Sequence, residues 1–429
     1  QQRLWFLSQF MGQGAVYNIP LALRLSGDID RDILIKSLHT ILERHEILRT
    51  NFNQIDGQVL QIIHPATPAI IVETLDNEAQ VQAIYHHELN YGFDLKQDNL
   101  CRIRLLQSPG LDHAGAPGLV LIVVMHHSIS DAWSMNLFMQ ELLAFYRSYK
   151  RGGEIPLPAH LQYADYAHWQ RQWLQGDVSE KQMAYWRHKL ANLPPKLELP
   201  LDYPRPHNQS FNGGVVSWRL STELSQQLQV LSQQQGVTLY MSLLAGLAIL
   251  LSRYANQKDF AIGMPIANRT RQETENLIGF FVNTLVLRCN LSENLPFSVF
   301  LKRVRETSLE AHAHQDIPFE QLVEALNPER NLSHSPLFQV MFTLQNAPNQ
   351  TAAPIDFAID PLRFSDNTSP EQAAKVARFD LTLSLQESPQ GLFGGLEYNS
   401  DLFERSTISR MLEHFEQLLQ VFVANPSTR

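Results

Sequence analysis

The chain has 429 residues, 44% of them hydrophobic, and a formal net charge of −9. At ~100–200 residues per domain this predicts two or three folding units with ample cores, and an acidic balance with scattered Lys and Arg excludes nucleic acid as the main partner. Cys101 and Cys289 are too few for a disulfide framework or a zinc site and suit a reducing cytoplasm.

The chain opens Gln1-Gln2-Arg3-Leu4-Trp5, with neither an initiator Met nor a charged-then-apolar leader. It closes on polar Asn425-Pro426-Ser427-Thr428-Arg429, which reads as the start of a linker. Both ends predict a piece excised from a longer polypeptide. The longest apolar stretch, residues 239–251, is interrupted by Ser242 and falls far short of the roughly 20 residues a spanning helix needs. It is expected to be a buried helix, and no membrane partner is expected.

Residues 21–25 alternate as a strand would, and Gly27-Asp28-Ile29-Asp30 then offers turn and capping residues. Ile33, Leu34, Leu38, Ile41 and Leu42 follow at helical spacing. Residues 102–107 and 118–125 predict strands; the second is uniformly apolar, as a central strand covered on both faces would be. Trp133, Leu137, Phe138, Leu142, Leu143 and Tyr146 then mark an amphipathic helix to about Lys150. A Pro/Gly-rich patch at 152–158 precedes a helical segment around Trp169, and residues 180–190 predict a further helix ahead of a Pro-rich connector at 193–206. The expected division is 1–176 and 177–429.

The second part again mixes types. Residues 222–236, 237–254, 296–313, 406–423 and a stretch from Phe319 read as helices. Residues 261–263, 284–289, 338–343 and 381–385 read as strands. Residues 346–374, rich in Pro, Ala, Asp and Thr, predict a long exposed loop. No repeat relates the two parts.

The informative stretch is Met125-His126-His127-Ser128-Ile129-Ser130-Asp131-Ala132-Trp133-Ser134, where a buried strand hands over to a helix. Neighbouring strand residues face opposite ways, so one His can point into a cavity while the other packs or orients the turn. Asp131, near the helix start, can cap it or make a buried ion pair. The positive helix end favours a neutral imidazole, the form a base requires. Such a base, taking a proton from an amine attacking a carbonyl, contributes about 10²–10⁴-fold. On residue chemistry alone, a packing or surface role for the two histidines stays open. His86-His87, in polar, helix-like surroundings without an Asp at the same spacing, serves as an internal control and reads as solvated surface.

His126-His127-Ser128-Ile129-Ser130-Asp131 resembles the His-His-x-x-x-Asp-Gly signature of nonribosomal peptide synthetase condensation domains, and six further segments resemble that family's motifs in order. They are Gln2-Arg3-Leu4-Trp5-Phe6-Leu7, Arg44-His45-Glu46-Ile47-Leu48-Arg49-Thr50-Asn51-Phe52, Tyr163-Ala164-Asp165-Tyr166-Ala167-His168-Trp169, Ile278-Gly279-Phe280-Phe281-Val282-Asn283-Thr284, His314-Gln315-Asp316-Ile317-Pro318-Phe319-Glu320 and Arg330-Asn331-Leu332-Ser333-His334-Ser335-Pro336-Leu337.

The resemblance implies an α/β fold of two chloramphenicol-acetyltransferase-like subdomains in a V-shaped pseudo-dimer, the first carrying the His-His motif, with a tunnel between them. It implies amide-bond formation between a donor acyl or peptidyl thioester and an acceptor aminoacyl thioester, both on phosphopantetheinyl carrier proteins. No cofactor would be bound directly; the phosphopantetheine arms are substrates. Partners would be the donor and acceptor carriers and an adjoining adenylation domain, with the excised domain monomeric and cytoplasmic. Neither a metal cluster nor a nucleotide motif is visible, which fits a reaction driven by the thioester.

By the same resemblance His127 stands at the reacting amine, as base or as positioning group, and His126 supports the turn. Asp131 is expected to pair with Arg49. Trp133, Ser134, Asn283, Thr284 and Gln315 are candidate tunnel-lining residues, while Trp5, Phe6, Phe280 and Phe281 are expected in the core and Tyr163, Asp165 and Trp169 to hold a helix. The chain departs from the signature at Ala132, where the family usually has Gly, which puts the acceptor geometry in doubt. The alternatives are a relative that epimerizes or otherwise modifies the bound residue, for example by dehydration, and a non-catalytic carrier-docking module. The segments Tyr17-Asn18-Ile19-Pro20 and Phe280-Phe281-Val282-Asn283-Thr284 lean toward an L-configured donor.

Overall fold

The computed structural model describes residues 1–11, 14–108, 118–153, 155, 161–328, 331–345, 357–362 and 376–428. The fold is mixed α/β and divides into two compact units. The first unit comprises Gln1–Trp173, Arg269–Val282 and the described residues within Asn349–Ala373. The second comprises Leu174–Asn268, Asn283–Pro348 and Ala374–Arg429. The leading stretch of the first unit ends at Trp173, and the chain leaves the second unit after Asn268 and returns to it at Asn283. A single cut at residue 176 misses that excursion.

In the first unit α1 (Gln2–Met11) leads to β1 (Asn18–Gly27), α2 (Arg31–Arg44), the hairpin β2 (Thr50–Ile55) and β3 (Gln58–Ile63), β4 (Ile70–Thr74) and α3 (Glu78–Leu89). β5 (Cys101–Ser108), β6 (Gly118–His126), α4 (Ala132–Lys150) and α5 (Tyr163–Trp173) follow. Asp30 caps α2 by accepting from the Ile33 N–H, and Leu34, Leu38, Ile41 and Leu42 form its buried stripe. All nine residues of β6 are buried, because β6 is the middle strand of a five-stranded sheet, flanked antiparallel by β1 and β5. The apolar run in the sequence is thus a strand covered on both faces.

β11 (Phe357–Pro361) completes that sheet, pairing antiparallel with β1 from Leu23↔Pro361 to Gly27↔Phe357. This corrects the long loop expected over 346–374. Phe357 and Leu362 are buried in the first unit's core, and the ladder bonds supply what local composition does not. The rest of that segment, like Arg330 of the seventh motif, lies outside the described residues.

The second unit contains α6 (Gly176–Lys189), β7 (Gly213–Arg219), α7 (Thr222–Gln234), α8 (Leu239–Ala255), β8 (Asp259–Ile266) and β9 (Asn283–Asn290). It continues with α10 (Phe297–Ala313), α11 (Phe319–Leu326), β10 (Val340–Gln345), β12 (Leu381–Ser388), β13 (Gly391–Asn399) and α12 (Arg405–Ala424); the one-turn α9 (Gln272–Glu275) belongs to the excursion. The sheet order is β7-β13-β12-β10-β8-β9, with β10 parallel to both neighbours. α8 is the expected buried helix, with ten buried residues. At Gly246 the side chains of Leu419 and Phe415 from α12 approach so closely that a Cβ would meet them. No single helix among the described residues is long and apolar enough to cross a membrane.

Candidate active site

β6 ends at His126 and α4 begins at Ala132, and the five residues 127–131 make the handover. Asp131 takes extended backbone angles and its Oδ1 accepts from the Ser134 N–H at 2.8 Å, capping α4. His126 is the last residue of the strand and His127 the first of the turn, and their side chains meet different surroundings. His126 is 3% exposed, with the rings of Tyr17 and Phe93 at centroid distances of 6.2 and 6.0 Å. His127 is half-buried, its ring perpendicular to that of Phe280 at 5.2 Å. His126 N–H donates to the Leu100 carbonyl and His127 N–H to the Tyr17 carbonyl, while the Gln1 side-chain amide donates to the Ser128 carbonyl at 2.8 Å.

The hydrogen bonds assign the two rings opposite tautomers. His127 Nδ1 lies 2.9 Å from the Ser130 carbonyl oxygen. A carbonyl only accepts, so Nδ1 carries the proton and, in the neutral ring, the lone pair is on Nε2. At His126 the Ser128 N–H donates to Nδ1 at 3.1 Å, with Ser128 Oγ also 2.8 Å away. There Nδ1 accepts and Nε2 carries the proton.

Asp131 does not pair with Arg49. Its partner is Arg269, from the excursion, with Nη2 3.3 Å from Asp131 Oδ1 and both side chains almost wholly buried. Arg49 instead lies 3.6 Å from Glu46 and donates to the His64 carbonyl at 2.6 Å. It sits at the end of a one-turn helix, Glu46–Arg49, which commits its guanidinium to local groups. Arg269 also donates to Ser134 Oγ at 2.9 Å, to the Leu277 carbonyl at 2.7 Å and to the Thr274 carbonyl. Its guanidinium lies 4.0 Å from the Phe281 ring centroid. Burial pulls it below its ordinary pKa and the Asp131 charge opposes that pull; an arginine stays protonated throughout. The sequence held no local signal for this residue beyond its position just ahead of the Ile278-Gly279-Phe280 motif.

The excursion is held residue by residue. Ser134 Oγ donates to the Gly279 carbonyl at 2.9 Å and accepts from the Gly279 N–H at 3.0 Å. Tyr163 OH donates to the Phe280 carbonyl at 2.6 Å. The Phe281 N–H donates to Asp131 Oδ2 at 3.0 Å, and Trp133 Nε1 donates to the Glu275 carbonyl at 2.9 Å. A Cβ at Gly279 would overlap the Tyr163 ring, so that ring lies directly on the backbone.

The remaining candidates divide. Ser134 is fully buried within this clasp, whereas Trp133 is 40% exposed. Ala132 occupies the first helical position of α4, is exposed, and is not among the residues with positive φ. In the second unit Asn283 is structural: its Nδ2 donates to the Gln315 and Ile317 carbonyls, and its Oδ1 accepts from the Thr284 and Phe319 N–H groups. Thr284 and Gln315 are half-buried. Trp5 and Phe281 are core residues, but Phe6 is 47% exposed. Tyr163 is buried, Trp169 half-buried, and Asp165 accepts from the Gln162 N–H just ahead of α5. His86 and His87 lie on α3, half-buried and exposed respectively. No group of three or more His, Cys, Asp or Glu among the described residues is placed to hold a metal ion.

Comparison with known proteins adds the following. The family model described as Condensation domain matches residues 1–429. A linear gramicidin synthase chain from Brevibacillus parabrevis is 44% identical over 434 residues, covering 99% of this chain and 8% of that protein. Malpinin synthetase from Mortierella alpina is 41% identical over 432 residues, covering 98% of this chain and 5% of that protein. The chain therefore spans less than a tenth of the length of such relatives. The structure of the teicoplanin-biosynthesis X-domain in complex with OxyB matches 100% of this chain and 93% of its own, with a TM-score of 0.85 and 29% identity. The condensation domain of the Monacolin K polyketide synthase MokA matches 100% and 97%, with a TM-score of 0.84 at 22% identity, a likeness of fold.

Proposed function

The chain belongs to the condensation-domain family of nonribosomal peptide synthetases, and from that membership we propose that it forms an amide bond between two carrier-bound thioesters. The observation that carries the proposal is the hydrogen bond from His127 Nδ1 to the Ser130 carbonyl, which leaves the Nε2 lone pair as the basic atom of a neutral ring. The acceptor's α-amine, with an ordinary pKa of about 7.7–8.0, is partly neutral at pH 7. It adds to the donor thioester carbonyl, and its surplus proton passes to His127 Nε2. The C–S bond then breaks and the departing thiolate is protonated, so one C–N bond forms, one C–S bond breaks, and nothing is oxidised or reduced. The product remains on the acceptor carrier.

In this reading His127 acts on the reacting amine, as base or as hydrogen-bonding anchor, while His126, Asp131, Arg269 and Ser134 hold the turn that presents it. The phosphopantetheine arms of a donor and an acceptor carrier are the substrates, and an adenylation domain of the parent synthetase supplies the acceptor. A second reading is favoured by the likeness to the X-domain solved with OxyB: a module that docks a tailoring enzyme or carriers without chemistry.

Two loaded carriers and mass spectrometry of the acceptor arm separate these readings. The parent is expected to transfer the donor group, with L- preferred over D-configured donors, and His127→Ala to lower the rate by about 10²–10⁴-fold while both carriers still bind. Carrier binding with no product from the parent would replace amide formation by docking.

A further inference from the structure

Three consecutive residues of the excursion are gripped by three different groups, Gly279 by Ser134, Phe280 by Tyr163 and Phe281 by Asp131. The effect is to fix one backbone stretch whose middle side chain packs on the imidazole of His127. The Phe280 and His127 rings stand 5.2 Å apart at 83°, a favoured edge arrangement for aromatic pairs. Rotating the imidazole by 180° about its Cβ–Cγ bond would replace Nδ1–H by a C–H at the Ser130 carbonyl and move the Nε2 lone pair. The Phe280 ring stands beside the imidazole throughout that rotation, close enough to bias which orientation is kept.

We propose that Phe280 is a positioning residue for His127 and that Tyr163 acts through it, by holding the Phe280 carbonyl. The proposal rests on the amide-forming reading and deepens it by naming what fixes the orientation of the basic nitrogen. Tyr163 suits the task because its ring lies directly on Gly279, with the Phe281 ring edge-on at 5.1 Å, so its hydroxyl has little freedom except toward Phe280. Burial raises its pKa well above 10, so the hydroxyl remains a donor at every working pH.

The test uses the whole chain with two loaded carriers, and compares Tyr163→Phe, which keeps the ring, and Phe280→Leu with the parent. Tyr146→Phe serves as control, since it too removes a hydroxyl bonded to a partly buried backbone group, the Asp30 N–H, in the same unit. The ring nitrogens of His127 are followed by ¹⁵N NMR, assigned by difference from His127→Ala. Tyr163→Phe is expected to lower kcat about 10-fold and Phe280→Leu up to about 10²-fold, as for other small misplacements of a reacting group, with KM for both carriers unchanged. The Nδ1–H form of His127 should give way to a mixture of tautomers in both variants and persist in the control. An unchanged His127 nitrogen signature overturns the proposal, whether activity holds or falls, because a fall without it reports lost structure alone. Should the parent form no amide, the reading of function fails, and the nitrogen signatures still decide the positioning role.

Discussion

Arg269 and Asp131 meet at 3.3 Å with side chains only 2% and 4% exposed, although 138 positions separate them in the chain. Breaking such a pair leaves one buried charge uncompensated, at about 3–5 kcal/mol. Arg269→Met and Asp131→Ala are each expected to lose that much in denaturant unfolding, and the double variant less than their sum. Arg49→Ala removes a partly exposed pair and one hydrogen bond, worth about 1–2 kcal/mol together. Equal losses from Arg49→Ala and Arg269→Met would contradict the assignment. Asp131→Ala is also expected to be inactive, because the same carboxylate caps α4 and holds Phe281; that inactivity carries no information about proton transfer.

Ala132 is the chain's departure from the family signature, and its setting is one an alanine takes without backbone strain. It is exposed at the first helical position, outside the positive-φ region that only Gly occupies freely. Ala132→Gly is expected to change the condensation rate less than about twofold and to cost at most about 1 kcal/mol through the added freedom of Gly. A large gain in rate with one acceptor amino acid would show instead that the methyl obstructs a substrate.

The legible parts of the sequence were those with strong local periodicity or composition. β6 and the stripes of α2, α4 and α8 could be read because each buries one continuous apolar face or run. Asp131 was legible as a cap because capping is local. Its ion partner was not, since only the tertiary path of the excursion brings Arg269 to it, while Arg49 answers to neighbours within its own turn. β7 and β13 carry no such signal because their paired glycines, Gly213-Gly214 and Gly394-Gly395, dilute a strand pattern. The β2–β3 hairpin did carry a signal: Asp56-Gly57 at its turn takes φ of 51° and 79°, the two positive angles of a type I′ turn. β11 is a strand only because the edge of β1 is there to pair with.

Glu88 of α3 links the first unit's expected stability to pH. It is 1% exposed and bonded to two arginines of β5, from Arg102 Nε and Nη2 at 2.6 and 2.8 Å and from Arg104 Nε at 2.6 Å. Burial is the largest single influence and pushes the carboxyl up, but the hydrogen bonds and charges of Arg102 and Arg104 together outweigh it, so the folded pKa lies below the ordinary 4.5. A carboxylate depressed on folding contributes stability that is fully present above its unfolded value and is lost as pH falls through the folded one. Glu88→Gln is therefore expected to lose about 2–3 kcal/mol at pH 7, below the ~3–5 of a fully buried pair because both arginines retain some solvent. Denaturant unfolding at pH 7, 5, 4 and 3 should show the parent's advantage holding to pH 5 and narrowing below about pH 4.5. An advantage that instead grew on acidification would mean that the carboxyl is held protonated by burial, and the arginine network would then be no source of stability at neutral pH.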